Sequence, residues 1–330
     1  MIISKTPLRI SFAGGGTDLP SFYKYNDYGA VLSTSINSYI YVTVKKHSPL
    51  FNENIRLNYS DTELVSDIEE IKHPIIRECL RFLEIDDRLY ISTIADAPGS
   101  SGLGSSSSFC VGLLNALYKY KGITASVGRL AEEAAYIEID VLNRPIGKQD
   151  HYAASYGGFN YFRFYADGSV TIKPVIAKKQ KIDALFNGMI SFWTQIQRPA
   201  ESILEEQDKN SIVNKDILIA MRQQAEDLVG IINEELFSLE RFGNVIRNGW
   251  DMKRGLASKI TNNEIEKYYS IAMENGAIGG KISGAGGGGF LNIFTLPQYR
   301  KKIILALEMF RLIPFKFDLD SSGTTVNVLE

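Results

Sequence analysis

The run Asp96 to Phe109, DAPGSSGLGSSSSF, holds the residues of this chain best suited to chemistry. Glycine allows positive φ and close approach of backbone amides, and a helix following the run offers unpaired N–H groups and a positive dipole end. Together these make an anion cradle. Hydroxyls at Ser100, Ser101, Ser105, Ser106 and Ser107 add phosphate contacts, helix caps and hard oxygen ligands for Mg2+. A Walker A loop would place Gly-Lys-Ser/Thr where Gly104 is followed by Ser105. A dinucleotide fingerprint would need a third glycine where Ser107 stands. Phosphate binding therefore fits the strand, loop and helix context better than either motif, or than a flexible serine-rich loop.

Several other groups could act beside such a cradle. Glu138 lies on a predicted helix with Ala134, Ala135, Val141 and Leu142 three and four positions away, so its charge needs a partner. That partner is a metal ion or a buried salt bridge with Arg129 or Arg144. Asp150 follows Gly147-Lys148-Gln149 and on its own reads as a turn or cap aspartate. Thr17 and Asp18 follow three glycines, Gly14 to Gly16, which is more backbone freedom than a strand end requires. A second glycine segment contains Gly284, Gly286, Gly287 and Gly289 but runs into the predicted strand Phe290 to Phe294, which contradicts dinucleotide binding. His151 reads as core, and Trp250, Lys253 and Leu256 as core and rim at helical spacing. Cys79, Cys110 and three scattered histidines supply neither a disulfide framework nor a zinc site.

The elements that must position these groups follow from periodicity. Early strands run through Ile2 to Val44, and another spans Arg88 to Ile94; a helix covers Phe109 to Tyr120 and a second Val127 to Leu142, stopped by Pro145. Strands return at 159–164, 170–176 and 189–193. Helices cover 214–239 and 264–275, followed by a glycine loop at 276–289. At 330 residues the chain exceeds one usual core, so two α+β domains are expected, 1–180 and 181–330, with Lys178 to Lys181 as linker. Apolar residues make up 45% and charged residues 22%, with net charge −2 and no like-charge block. That balance argues against nucleic-acid and membrane partners. The start lacks a signal-peptide pattern, so a cytoplasmic protein is expected, as monomer or homodimer.

Three motifs in order resemble the GHMP kinases: PLRISFAGGGTD from Pro7 to Asp18, the loop Pro98 to Ser106, and KISGAGGGGF from Lys281 to Phe290. The resemblance implies a two-domain fold, a ribosomal protein S5 domain 2-like unit followed by a ferredoxin-like unit. It also implies Mg·ATP-dependent phosphorylation of a hydroxyl. By the same resemblance the loop Pro98, Gly99, Ser100, Ser101, Gly102, Leu103, Gly104, Ser105, Ser106 and Ser107 holds the nucleotide phosphates, and Ser106 and Glu138 hold Mg2+. Asp150 orients the acceptor hydroxyl, with Arg9 beside it. Gly15, Gly16, Thr17, Asp18, Gly284, Gly286 and Gly287 meet the acceptor. The run PLRISFAGGGTDLPSFY resembles the branch acting on heptose 7-phosphate, with fucokinases as near relatives. Such an acceptor needs a basic pocket, for which Arg144, Lys148, Arg198 and Lys281 are candidates. A nicotinamide-dependent oxidoreductase and a non-catalytic sugar or nucleotide sensor are the alternatives of another class.

Overall fold

The computed structural model describes residues 1–329. Its larger sheet is built from β1 (Ile2–Ala13), β2 (Tyr28–Lys46), β3 (Ile55–Asn58), β4 (Thr62–Val65), β5 (Leu89–Ala95), β6 (Phe159–Tyr165) and β7 (Val170–Pro174). An eighth strand, β12 (Thr325–Val328), comes from the far end of the chain and pairs antiparallel with β1. The larger sheet thus draws on both sides of residue 180. β2, 19 residues long, runs antiparallel to β1 and is shared on its other edge, where residues 28–34 pair with β6 and residues 40–46 with β5. That division opens the sheet beside the loop after β5.

The smaller sheet has β8 (Met189–Trp193), β9 (Ala277–Ile282), β10 (Phe290–Thr295) and β11 (Ile313–Phe315) in the order β11-β8-β10-β9, all antiparallel. In chain order these are strands one to four, so the spatial order is 4-1-3-2, the split β-α-β arrangement of ferredoxin-like folds. Short α1 (Pro20–Tyr23) follows the first glycine turn, and α2 (Pro74–Phe82) precedes β5. The central helix α3 (Ser105–Tyr120) packs on β1 and β2 and against α4 (Val127–Ala135) and α5 (Gln149–Tyr156). It buries Leu113, Leu114 and Leu117 completely, each worth about 1.5–3 kcal/mol of apolar transfer. The other half carries α6 (Lys179–Asn187), α7 (Glu201–Lys209), α8 (Lys215–Asn233), α9 (Leu239–Lys253), α10 (Asn263–Glu274) and α11 (Pro297–Glu308).

Some elements differ from the pattern-based expectation. α3 starts at Ser105, because Gly104 at φ +76° turns the chain and leaves the serine amides free in the first turn. Lys179 to Lys181 open α6 and are not a linker; Lys181 Nζ donates to Ile232 O at 3.0 Å. The predicted helix 214–239 is two helices. α8 stops at Asn233, and Ser238 caps α9 by accepting from the Arg241 amide at 3.2 Å. Six of the fourteen residues of the expected glycine loop form β9, where Gly279 lets α9 approach: a Cβ there would lie 2.3 Å from Gly243 O. Val141 is 42% exposed although the spacing placed it on the apolar stripe, because residues Tyr136–Val141 form a π turn that shifts the helical register. Cys79 and Cys110, distant in sequence, meet in the core as free thiols with Sγ atoms 3.9 Å apart.

Candidate active site

The loop after β5 is gripped from two sides. Its carbonyls accept from Arg9: the Arg9 amide binds Leu103 O at 3.0 Å, and the Arg9 guanidinium binds Gly102 O at 2.5 Å. From the second half, the Phe290 amide donates to Ser101 O at 3.2 Å. Gly102 has φ +79°, and a Cβ there would lie 2.4 Å from Ser283 O, so only glycine lets the two glycine segments touch. The loop is thereby fixed with the N-terminus of a four-turn helix directed at a cavity of about 340 Å3.

Into that cavity the fold gathers Arg9, Gly15, Gly16, Asp18, Ser100, Gly102, Gly104, Ser105, Ser106, Ser107, Glu138, Asp150 and Gly284. Other candidates lie off it. Thr17 is buried and its hydroxyl is used on the carbonyls of Gly14 and Ala30, at 2.7 and 2.9 Å. Leu103 is core. Pro98 borders a separate cavity of about 320 Å3 with Trp193 and Phe290, while Gly286 and Gly287 pack on Ile260 and Ile203. Gly99 and Ser101 shape the loop through their carbonyls, which accept from Gln197 and Phe290.

Asp150, in the first turn of α5, receives a two-pronged bond from Arg9: Nε to Oδ1 at 2.6 Å and Nη2 to Oδ2 at 2.7 Å. This fork fixes the carboxylate plane as a single contact would not. A Cβ built on Gly104 would lie 3.2 Å from Asp150 Oδ2, so the carboxylate faces the amides at the start of α3. Asp18 is buried alongside, accepting from the Gly16 amide at 3.0 Å and from Gln149 Nε2 at 3.0 Å. Burial, and then the charge of Asp150, raise the Asp18 carboxyl above its ordinary value against those opposing bonds. Gly147 makes room for it, since a Cβ there would lie 2.0 Å from Asp18 Oδ2. Gly147→Ala cannot be accommodated without moving the Asp18 side chain.

Glu138, fully buried on the π turn, is saturated by three side chains. Ser106 Oγ donates to Oε1 at 2.5 Å, Arg144 Nη1 to Oε1 at 2.7 Å, and His151 Nε2 to Oε2 at 2.8 Å. Burial pushes this carboxyl up, but His151, then Ser106 and Arg144, outweigh it and bring it down to about 2. The salt-bridge reading of Glu138 is thus met by Arg144, while the carboxylate and the Ser106 hydroxyl stand together at the start of α3. Oxygen donors of this kind suit Mg2+, which is commonly held by one or two carboxylates together with substrate phosphates. Among the described residues no three acidic, His or Cys groups cluster into an all-protein metal site.

Among the lining residues that were not assigned to the site from sequence, two stand out. Lys253, at the end of α9, is 6% exposed and donates to Gly284 O. Burial, and then the Arg9 charge, lower its ammonium to about 8, with Asp18 and Asp150 opposing. Helical spacing could not separate a lysine facing solvent from one facing an internal cavity. The other is Gln207, on α7, a helix that was not predicted. Of the basic candidates, Arg144 and Lys281 line the cavity with protein partners, Lys281 donating to Ser11 O and Phe12 O at 2.9 and 3.1 Å. Burial, with Lys253 and Arg9, lowers the Lys281 ammonium well below its usual value. Lys148 turns away to Glu132 and Gly168, and Arg198 is exposed near Gly287.

Comparison with known proteins bears on this geometry. Residues 71–158 match the GHMP kinases N terminal domain and residues 232–310 the GHMP kinases C terminal domain. The chain is 32% identical over 323 residues to a D-glycero-alpha-D-manno-heptose 7-phosphate kinase of Campylobacter jejuni, covering 93% of each protein. It is 24% identical to a mevalonate kinase of Saccharolobus solfataricus over 95% of each. Among solved structures, a D-glycero-D-manno-heptose 1-phosphate kinase from Bacteroides thetaiotaomicron superposes with a TM-score of 0.79 at 24% identity over the full length of both chains. A sugar kinase from Campylobacter jejuni gives 0.76 at 27% identity, covering 98% of this chain and 97% of the other.

Proposed function

Because this chain belongs to the GHMP kinase family, we propose that it transfers the γ-phosphoryl group of ATP to the anomeric hydroxyl of D-glycero-D-manno-heptose 7-phosphate. The product would be the 1,7-bisphosphate, a precursor of nucleotide-activated heptose for surface polysaccharide. The observation that carries the reading is the Asp150 carboxylate, forked by Arg9 and facing the start of α3 across one cavity. In this reading the amides and hydroxyls of Ser100, Gly102 and Gly104 to Ser107, the part of the loop that lines the cavity, hold the triphosphate, and Glu138 with Ser106 hold Mg2+, Arg144 giving way. The metal, when bound, supplies charge neutralisation at the phosphates. Asp150 accepts the hydroxyl proton as the P–O bond forms, and Arg9 holds it in line. Phosphoryl transfer asks mainly for such positioning and for neutralised charge. Family membership removes the basis for the oxidoreductase alternative.

No helix among the described residues is long and apolar enough to cross a membrane, and the acceptor and nucleotide we propose are those of a cytoplasmic enzyme. The deciding experiment is Mg-dependent ADP release with heptose 7-phosphate, mannose, fucose, galactose and mevalonate, with phosphorus NMR locating the new phosphate. Turnover of mevalonate or fucose but not of the heptose would reject the acceptor, and no ADP release with any of them would reject the kinase activity.

Lys253 gives this reading a pH signature. Its cationic form, populated below about pH 8, faces the Asp150 side of the cavity, where it would offset charge on the transferring group. We expect kcat/KM to fall above pH 8, Lys253→Met to lose that limb together with activity, and Lys253→Arg to carry activity to higher pH. Because the folded value lies below 10.5, the stability contribution of this group rises as pH goes from about 8 to 10.5, so deprotonation of Lys253 does not itself unfold the protein. A flat pH profile in the wild type would exclude the role.

A further inference from the structure

We infer that Gln207, with Ser11 and Gln149, forms the hydroxyl-reading face of the acceptor site, and that Gln207 donates to a hydroxyl oxygen of the polyol. The inference rests on the kinase reading above and adds the residue from the second half of the chain that selects the acceptor. Gln207 is 2% exposed, and its Nε2 has no hydrogen-bond partner. Ser11 Oγ, on a residue 5% exposed, and Gln149 Oε1 also have none. Buried polar atoms are ordinarily paired, and an unpaired one costs the free protein stability. Three of them in one cavity wall are unusual.

The three converge on a single turn. A Cβ built on Gly15 would lie 3.6 Å from Gln149 Nε2 and 3.8 Å from Ser11 Oγ; one built on Gly16 would lie 2.1 Å from Gln207 Nε2. Gly16 is thus what makes space for the Gln207 amide, which reaches the turn from another helix. The Gln149 amide is oriented by its bond to Asp18 Oδ2, which leaves its oxygen free. The face therefore presents one donor, one acceptor and one hydroxyl that is both, beside the Asp18 carboxylate. That set complements neighbouring hydroxyls on a polyol, each of which both donates and accepts.

The test is Gln207→Leu, which keeps the bulk and removes the amide. We expect the acceptor KM to rise about tenfold, kcat to stay within about threefold, and the nucleotide dissociation constant to be unchanged. The melting temperature should hold or rise, because an unpaired buried amide has been replaced by an apolar group; a structural glutamine would lower it. Monodeoxy analogues of the accepted sugar sharpen the result: one of them should cost the wild type the same factor and cost the variant nothing further. If the wild type turns over a sugar and the variant shows the same KM, the inference falls while the kinase reading stands. If no sugar in the panel is turned over, the kinase reading falls, and saturation-transfer NMR with heptose 7-phosphate and mannose decides the inference. Sugar signals lost in Gln207→Leu support it; equal signals, or none with the wild type, overturn it.

Discussion

Asp150→Asn is expected to lower kcat about a thousandfold while the dissociation constant for ATP moves less than about threefold, within the range spanned by loss of a positioned general base. Asparagine keeps the shape of the side chain and can still accept one bond from Arg9, but it has no charge to draw off the acceptor proton. ATP affinity should survive because the expected phosphate contacts are amides and hydroxyls of the loop ahead of α3, none of which is hydrogen-bonded to Asp150. The variant also leaves the buried Arg9 guanidinium without its counter-charge, so a fold control is needed. Comparing Arg9→Met, Asp150→Asn and the double variant by coupled ADP assay and thermal unfolding separates the two effects: groups acting as one unit show strongly non-additive losses in kcat. Asp150→Asn with kcat within tenfold of wild type would remove Asp150 from the mechanism.

Glu138→Gln should act on stability and catalysis together. The fully buried carboxylate pairs with Arg144 and accepts from His151, and removing its charge leaves the guanidinium without a counter-charge. With its carboxyl held near 2 against an ordinary value of 4.5, Glu138 contributes stabilisation on the order of 3 kcal/mol at neutral pH. The direction with pH follows from that depression: the contribution is complete above about pH 4.5 and drains away as pH falls toward 2. Urea midpoints measured from pH 7 to pH 2.5 should therefore converge between wild type and Glu138→Gln at the acid end. On the catalytic side, the Mg2+ concentration for half-maximal rate should rise at least about tenfold and kcat should fall about a hundredfold. An unchanged Mg2+ requirement with lost stability would leave Glu138 as a structural ion pair alone.

What could be read in advance depended on how local each signal was. The loop after β5 and the helix behind it announce themselves within fourteen residues, because glycine, proline and serine alter backbone freedom where they stand. The Arg9–Asp150 fork spans 141 positions and exists only because β1 and α5 pack on the same side of α3; composition and periodicity carry no trace of it. Glu138 was legible as a charge needing company, but Val141 was misassigned because a π turn breaks the 3.6-residue period on which the stripe was drawn. Lys253 was hidden for the opposite reason: its helix kept the period faithfully, and the period says which face is inward, not whether a cavity lies there. β3, β4, β11 and β12, each of three or four residues, fall below the length at which alternation can be recognised.

The pairing of β12 with β1 sets an order of events during synthesis. β1 is synthesised before every other strand of its sheet, yet the strand that covers its outer edge emerges only some 150 residues after β7, roughly 8 to 30 s later at ordinary elongation rates. Throughout that interval a row of unsatisfied main-chain groups on residues 2–5 stays available to any other nascent chain nearby. Slowing translation late in the message should therefore lower the yield of native enzyme, and supplying residues 325–328 from the front by circular permutation should restore it.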